Sequence, residues 1–317
     1  MRICSVRLGV AVLVAGLLSV LATLGAGRPN PMPTNVAQVT VTVSTRQPGA
    51  HPVVNPDDVR VYEDNKSRPV VSWVAAEAQS SLLDLTILVD DSIGDNVSLQ
   101  FKDLADFFQT VPAGTRVRVA YTSYGGNSVV QDFTSDYGLA AKALHLPVGS
   151  PMAGGSIYES VADLLKNWPR NGNRRGLLVI SDGIDINQGF EQSQPALNTE
   201  LQRAIDLAQS TDVTIYTIFA RGARSLEANE SLLNNGQSCL SRLTSETGGQ
   251  SYFEGTRTPL AFAPFLKQYA NDLRHQYVLT FQPLPAPKAG YHRLRVTTEI
   301  PGVHLFAPAR IFIPKAE

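Results

Sequence analysis

The middle of the chain, from residue 82 to residue 275, alternates between short apolar runs and amphipathic stretches. Residues 85–89 and 177–180 are apolar at nearly every position, which is typical of strands buried on both faces of a parallel sheet. After Ser156, apolar residues recur at the spacing of a helix that packs one face on a core. Strands that alternate with helices predict an α/β domain, with a doubly wound, mostly parallel sheet and helices on both faces.

Both ends of the chain show a different pattern, in which apolar and polar residues alternate with a period of two. In residues 36–80 the clearest case is Val39, Val41 and Val43, which are separated by polar residues. The same alternation recurs in residues 276–317. Such short strands cannot bury a face alone. We therefore predict that the N-terminal and C-terminal segments together form a small antiparallel β-sandwich.

Residues 1–27 are typical of a targeting segment rather than of a folded domain. Arg2 and Arg7 precede an uncharged run at residues 8–26 that is mostly Leu, Val, Ala and Gly. This pattern predicts a secretory signal peptide, although the run is also near the lower length of a membrane span, so a retained anchor stays open. Residues 28–35 are rich in proline and are interpreted as a linker.

Composition narrows the classes of function. Charged residues make up 17% of the 317, with 27 basic against 28 acidic residues, a balance that argues against a nucleic-acid partner. Removing the targeting segment takes away two arginines, which leaves 25 basic and 28 acidic residues and a net charge of −3. Cys239 is then the only cysteine, so we expect no intramolecular disulfide and a buried thiol.

Oxygen-bearing side chains follow two of the predicted buried strands. Asp90 and Ser92 come directly after the first strand, Asp182 follows residues 177–180, and Ser156 opens a helix. Ligands of open parallel sheets bind beyond the carboxyl ends of the strands. A set of oxygen atoms without His or Cys suits Mg²⁺, Mn²⁺ or Ca²⁺ and not zinc.

These residues resemble a known motif. Asp90 and Ser92 in the first loop, Ser156 at the helix start and Asp182-Gly183 in the last loop are similar to the metal-ion-dependent adhesion site of the von Willebrand factor type A (VWA) family. The resemblance covers residues 82–275. The flanking segments resemble those of bacterial exported proteins of this family at residues 56–64, 245–249 and 276–279.

The resemblance implies a Rossmann-like domain that binds a divalent cation, most often Mg²⁺. It implies that the hydroxyls of Ser92 and Ser156 bind the cation directly, while Asp90 and Asp182 hold its waters. A protein partner then offers an acidic side chain that completes the coordination. This chain departs from the family in having Gly94 in place of a ligand serine, so water or Asp95 has to supply that oxygen. It also has Ser156 in place of a threonine.

Other interpretations stay open. Ser156 with Glu159 fits a capping box and Asp182 fits a turn, so a metal-independent adhesion or scaffolding protein on the same fold is the alternative. Residues 87–92 also resemble the start of a response-regulator receiver, but the required lysine is missing after residues 213–219. A hydrolase is not indicated, because no nucleophile motif or metalloprotease motif occurs.

The sequence thus predicts an exported, non-enzymatic protein-binding module with a degenerate metal site. We expect a periplasmic, cell-surface or secreted location in a bacterium. Contact with a membrane is expected only if the N-terminal segment is retained.

Overall fold

The computed structural model describes residues 35–45, 53–78, 82–147, 155–222, 229–255, 257 and 259–315, apart from the side chains of residues 95, 96 and 98. The predicted signal peptide, nearly all of the linker, Gly154 and the side chain of Asp95 lie outside the described residues, so what we expect of them remains a prediction. Within the described ranges, no helix has the length and apolar character needed to span a membrane.

The first part of the described chain contributes four strands. They are β1 (Ala37–Thr45), β2 (Val59–Glu63), β3 (Lys66–Arg68) and β4 (Val70–Ala75). The central sheet then follows. Its strands are β5 (Leu83–Val89), β6 (Arg116–Ser123), β7 (Gly126–Thr134), β8 (Arg174–Ser181), β9 (Val213–Phe219) and β10 (Ser251–Tyr252).

The order of strands in the central sheet is β10-β9-β8-β5-β6-β7. All neighbouring pairs are parallel except β6 and β7, which form an antiparallel hairpin at the edge. All seven residues of β5 and all seven of β9 are buried. This burial explains why both segments are apolar at almost every position rather than at every second one.

Helices cover both faces of this sheet. They are α1 (Phe101–Phe108), α2 (Tyr137–Lys142), α3 (Ile157–Lys166), α4 (Thr199–Ser210), α5 (Glu230–Thr247) and α6 (Ala263–Arg274). One core lies between the sheet and α1, α2 and α6, and the other lies between the sheet and α3, α4 and α5. Leu85 and Leu88 of β5 point into opposite cores. The predicted α/β fold class is confirmed.

The remaining strands belong to the C-terminal segment. They are β11 (Gln276–Phe281), β12 (Gly290–Thr298), β13 (Val303–Phe306) and β14 (Arg310–Ile313). They join β1 to β4 in two antiparallel sheets, in the orders β13-β1-β11-β4 and β14-β12-β2-β3. Valines of β1 and β2 share one core with Leu279, Leu294 and Ile311. The predicted antiparallel sandwich of both termini is therefore present, while the domain boundaries placed at residues 80–82 and 275–276 stay predictions.

The bounds of several helices do not follow from the local apolar pattern. Helix α1 ends at Phe108, although Val111 continues its apolar spacing, α5 begins at Glu230, and α6 begins at Ala263. The causes lie in tertiary contacts. For example, Asp103 accepts hydrogen bonds from the backbone amides of residues 262 and 263, both at 2.9 Å, and thereby fixes the start of α6.

Candidate metal centre

The candidate site lies where the order of the central sheet reverses. The chain leaves β5 toward β6 on one side and later returns to form β8 on the other side of β5. The carboxyl ends of β5 and β8 therefore border a crevice of the kind that binds ligands in open α/β sheets. Asp90 follows β5, Asp182 follows β8, and both Ser92 and Ser156 are buried near these ends.

The carboxylate of Asp90 organises the first loop. Its Oδ1 accepts hydrogen bonds from the amide of Ser92 at 3.0 Å and from the Ser92 hydroxyl at 2.7 Å. The Thr122 hydroxyl, at the end of β6, lies 3.4 Å from the same oxygen. The other oxygen, Oδ2, accepts a 2.6 Å hydrogen bond from the Ser181 hydroxyl at the end of β8. One buried carboxylate thus links the ends of three adjacent strands.

Ser156 is held by a second carboxylate. Its hydroxyl donates to Asp185 Oδ2 at 2.6 Å and accepts from the amide of Tyr158 at 3.1 Å, which caps the start of α3. Asp185 also accepts from the side-chain amide of Asn198 at 3.1 Å. The serine half of the predicted capping box is therefore present, and the same hydroxyl also donates to a carboxylate from the loop after β8. A cap alone does not require that contact.

Close backbone packing positions Ser156. The hairpin turn between β6 and β7 consists of Tyr124 and Gly125, both with positive φ, as a tight two-residue turn requires. The chain at Gly155 passes so near this turn that a Cβ at residue 155 would clash with the backbone nitrogen of Gly125. Glycine is therefore needed at residue 155 for the loop to deliver Ser156 to the crevice.

Asp182 and Gly94 are the other two positions that the sequence analysis singles out in this site. Asp182 Oδ1 accepts the amide of Ile184 at 2.8 Å, which closes a turn after β8. Gly94, which stands where the family has a serine, donates its amide to the carbonyl of Arg221 at 3.1 Å. The loop that follows β9 therefore lies against the backbone of Gly94.

Among the four predicted residues, the structure joins Asp90 directly to Ser92. Ser156 is hydrogen-bonded to Asp185 and not to either predicted aspartate, and within the described residues no hydrogen bond links the Asp90 group to the Ser156 group. The ligand set named from the sequence thus remains a prediction.

Sequence reasoning missed four supporting residues. They are Thr122, Ser181, Asp185 and Asn198. Ser181 and Asp185 carried a signal, because they flank Asp182 at the end of a buried strand. Thr122 and Asn198 carried none, since their roles depend on which loops meet in three dimensions.

The hydrogen bonds of the two serine hydroxyls determine which of their lone pairs are free. A serine oxygen has one hydrogen and two lone pairs. The hydrogens of Ser92 and Ser156 are both directed to buried carboxylates. Within the described residues, no hydrogen-bond donor reaches Ser92 Oγ, and only the helix-capping amides reach Ser156 Oγ. Ser92 Oγ therefore keeps its lone pairs for a cation, whereas both lone pairs of Ser156 Oγ face the amides of Tyr158 and Glu159, so a cation at Ser156 displaces one of these capping contacts.

Cys239 and Tyr158 are buried next to the site. Burial raises the pKa of the Cys239 thiol to about 12, and its sulfur lies 3.3 Å from the carbonyl of Ser193. Burial also raises the pKa of Tyr158 well above its usual range, and the hydroxyl donates to the Gly183 carbonyl at 2.7 Å. A raised pKa disfavours the thiolate, which is the nucleophilic form of cysteine.

No protein-family model matches this chain, and no curated protein does either. Similar solved structures include the SpRpn10 VWA domain, with 17% identity over 59% of this chain and 95% of that one and a TM-score of 0.41. A von Willebrand factor type A protein from Catenulispora acidiphila has 12% identity over 92% and 76% of the two chains, with a TM-score of 0.41. The vWF domain of the type V pilus tip protein Mfa5 from Porphyromonas gingivalis has 11% identity over 61% and 95%, with a TM-score of 0.41. The chain resembles VWA domains in fold.

Proposed function

We propose that this protein is an exported, non-enzymatic protein-binding module that uses a divalent cation to hold an acidic group of a partner. Ser92 and Ser156 are the direct ligands in this proposal, and Asp90 and Asp182 hold the surrounding waters. The observation that carries it is the pair of hydroxyl-to-carboxylate hydrogen bonds, at 2.7 Å and 2.6 Å, at the carboxyl edge of the sheet. Export rests on the apolar segment at residues 8–26.

The residues of this chain perform three tasks in the proposed mechanism. Asp90 and Asp185 accept the serine hydrogens and thereby fix the rotation of both hydroxyls. Asp90 also fixes the loop through Ser181, so that the ends of β5 and β8 stay in register. When bound, a divalent cation supplies a positive centre to which a carboxylate oxygen of the partner is attracted.

The rim of the crevice offers a further contact for a partner. Tyr124, in the β6–β7 turn, is 81% exposed although it is aromatic. Exposed aromatic residues are enriched among those that dominate binding energy at protein interfaces. Because this turn packs against the loop that delivers Ser156, a partner that reaches the crevice also meets Tyr124.

Metal-independent adhesion through the same face is the second candidate. It is favoured by Gly94, which provides no side-chain oxygen and whose amide is already bonded to the loop after β9. With one ligand fewer than the family pattern, the crevice then acts through direct contacts with the partner.

Metal binding is tested by thermal unfolding of the protein in Mg²⁺, Mn²⁺ or Ca²⁺ against a chelator. An ion at one hundred times its Kd stabilises the folded state by about 2.7 kcal/mol, which corresponds to about 4–5 °C in Tm for a protein of about 300 residues. We expect this shift in the wild type and in the exposed control Ser128→Ala, and its loss in Ser92→Ala. An equal shift in Ser92→Ala, or no shift in the wild type, contradicts the proposed ligands.

The acidic partner group is tested by selecting displayed peptides on the protein in Mg²⁺. We expect the enriched peptides to contain an Asp or Glu whose change to the amide abolishes binding, and chelator to release them. Enriched peptides that bind equally in chelator and lack an essential acid support the metal-independent candidate instead. The variant Tyr124→Ala is expected to weaken binding of either kind without changing the metal-dependent Tm shift.

A further inference from the structure

A second cluster of ligand-type side chains lies in the sandwich, away from the crevice of the central sheet. Within the described residues, Glu63, Asp64 and His292 form the one group of three acidic or histidine side chains whose ligand atoms all lie within 4.8 Å of one another. Glu63 ends β2, Asp64 begins the turn after it, and His292 lies on the neighbouring strand β12. The cluster therefore joins segments 228 residues apart in sequence.

Glu63 breaks the pattern of its strand. Val59 and Val61 alternate with exposed or half-buried residues and face the sandwich core, and the period of two directs Glu63 to the same face. Its side chain is fully buried, and its Oε1 accepts no hydrogen bond from any described residue. Burying a carboxylate oxygen without a donor costs free energy unless a positive group compensates for it. That oxygen lies 3.1 Å from His292 Nδ1.

The other oxygen atoms of the two carboxylates are held by backbone amides. Glu63 Oε2 accepts the amide of Leu284 at 2.6 Å, and Asp64 Oδ1 accepts the amide of Arg293 at 2.9 Å. Each carboxylate is thus oriented with its remaining oxygen toward His292 Nδ1, which lies 2.8 Å from Asp64 Oδ2. Such outer contacts orient ligands in metal sites and fix their geometry.

The separations are close to those of a metal site. With bonds of about 2.0–2.2 Å, two ligands of a tetrahedral zinc ion lie about 3.4 Å apart. The observed 2.8 Å and 3.1 Å require only small outward movements of side chains. His292 is 20% exposed and Asp64 is 46% exposed. The exposed side of the cluster therefore leaves a path for entry and a position for water as a fourth ligand.

The chemistry of the three ligands selects the kind of cation. One imidazole nitrogen and two carboxylate oxygens suit zinc and similar transition metals better than Mg²⁺ or Ca²⁺, which prefer oxygen alone. Two negative charges beside a neutral imidazole are balanced by one divalent ion. Arg68, whose Nε lies 3.8 Å from Glu63 Oε2, is directed to the carbonyls of residues 282 and 283 and contacts the oxygen that faces away from the centre.

We propose that Glu63, Asp64 and His292 form a structural site for zinc or a similar transition-metal ion, which ties the β2–β3 turn to β12. On binding, the metal takes the place of the hydrogen on Nδ1, and the neutral imidazole then carries its one proton on Nε2. The proposal is independent of the site between β5 and β8 and of the function proposed for it.

Co²⁺ is the probe for the test, because its visible absorption reports four-coordinate binding and Zn²⁺ displaces it. The wild-type protein is titrated beside His292→Gln, Glu63→Gln and the control His304→Gln, which changes an exposed histidine of the same sandwich. We expect one equivalent of Co²⁺ with four-coordinate absorption bands in the wild type and the control. Affinity is expected to fall by about tenfold or more in the other two variants.

Circular dichroism of each variant shows whether it is folded, and Glu63→Gln keeps the acceptor for the Leu284 amide. The proposal is overturned if the wild type shows no Co²⁺ bands, or if folded His292→Gln binds with the affinity of the wild type. It is also overturned if the bands disappear in Asp182→Ala while persisting in His292→Gln, since the ion is then bound at the central sheet.

Discussion

The buried carboxylate of Asp90 offers the sharpest test of how the candidate site is built. The variant Asp90→Ala removes the acceptor for the Ser92 amide, the Ser92 hydroxyl and the Ser181 hydroxyl. Each hydrogen bond to a charged group contributes about 1.5–3 kcal/mol, and each donor left buried without a partner costs about 1–3 kcal/mol. Releasing a buried charge and rotating the two hydroxyls recovers part of this. We therefore expect a loss of about 3 kcal/mol in the free energy of unfolding.

The conservative variant Asp90→Asn separates the charge from the hydrogen bonds. Its carbonyl oxygen still accepts from Ser92, and the Ser181 hydroxyl can turn to accept from the new amide. We expect a loss of about 1 kcal/mol, between the alanine variant and the wild type.

Urea denaturation in chelator measures both changes, with tryptophan fluorescence as the signal because Trp73 and Trp168 are buried. Asp106→Ala is the control, since Asp106 is exposed and pairs only with Lys102 in the described structure. It is expected to change stability by less than about 0.5 kcal/mol. If Asp90→Ala costs no more than this control, Asp90 does not hold the loop and the site is not organised as described.

Three further substitutions are expected to change the free energy of unfolding or its dependence on pH. Burial alone would raise the pKa of Asp84, but hydrogen bonds from Arg116, Asn171 and Asn173 outweigh the effect of burial, and the pKa is lowered. The ionised Asp84 therefore stabilises the fold at neutral pH. This stabilisation is lost as the pH falls through the lowered pKa. Urea denaturation of Asp84→Asn should show a loss of about 3 kcal/mol at pH 7 and a smaller loss at pH 3; an equal loss at both pH values contradicts the ion pair. Burial raises the pKa of Asp272 to about 6, so the wild type should gain up to about 3 kcal/mol as the pH falls from 7.5 to 4. This gain should be smaller in Asp272→Asn, and an identical pH profile in the two proteins contradicts it. Gly155→Ala should cost about 1–3 kcal/mol by urea denaturation, because the new Cβ clashes with the hairpin turn, and unchanged stability contradicts that close approach.

The sequence predicts the central sheet well, because its strands are apolar on both faces. The runs that become β5 and β8 have no polar face to satisfy, so their place in the middle of a covered sheet follows from composition alone. Gly125 and Gly126, between two segments that become strands, also indicate the β6–β7 hairpin. The sandwich was predicted from alternation and from the lack of any other partner for these strands.

Elements fixed by distant contacts were less predictable. Helix α5 begins at Glu230, but Gly236 in its first half weakens the helical signal. The structure explains this glycine, because a Cβ at residue 236 would clash with the backbone carbonyl of Asp182. Its role is thus to let α5 approach the loop of the candidate site, which no local pattern reveals.

The candidate site likewise combines a local contact that the sequence indicates with a long-range contact that it does not. Asp90 and Ser92 are neighbours in sequence, and their hydrogen bond follows from the tight turn after β5. The pairing of Ser156 with Asp185 spans 29 residues and depends on how two loops fold against each other. Glu63 also stands out in the sequence, because a glutamate occupies the core-facing position of an apolar alternation.

A crystal structure of the protein soaked in Mn²⁺, with anomalous differences measured near the manganese edge, tests the central claim most directly. The account predicts an anomalous peak within bonding distance of both Ser92 Oγ and Ser156 Oγ, with Asp90 and Asp182 in contact with its waters. A map with no peak between these hydroxyls, or with a peak only beside Glu63, Asp64 and His292, would contradict a metal-dependent site at the carboxyl edge of the central sheet.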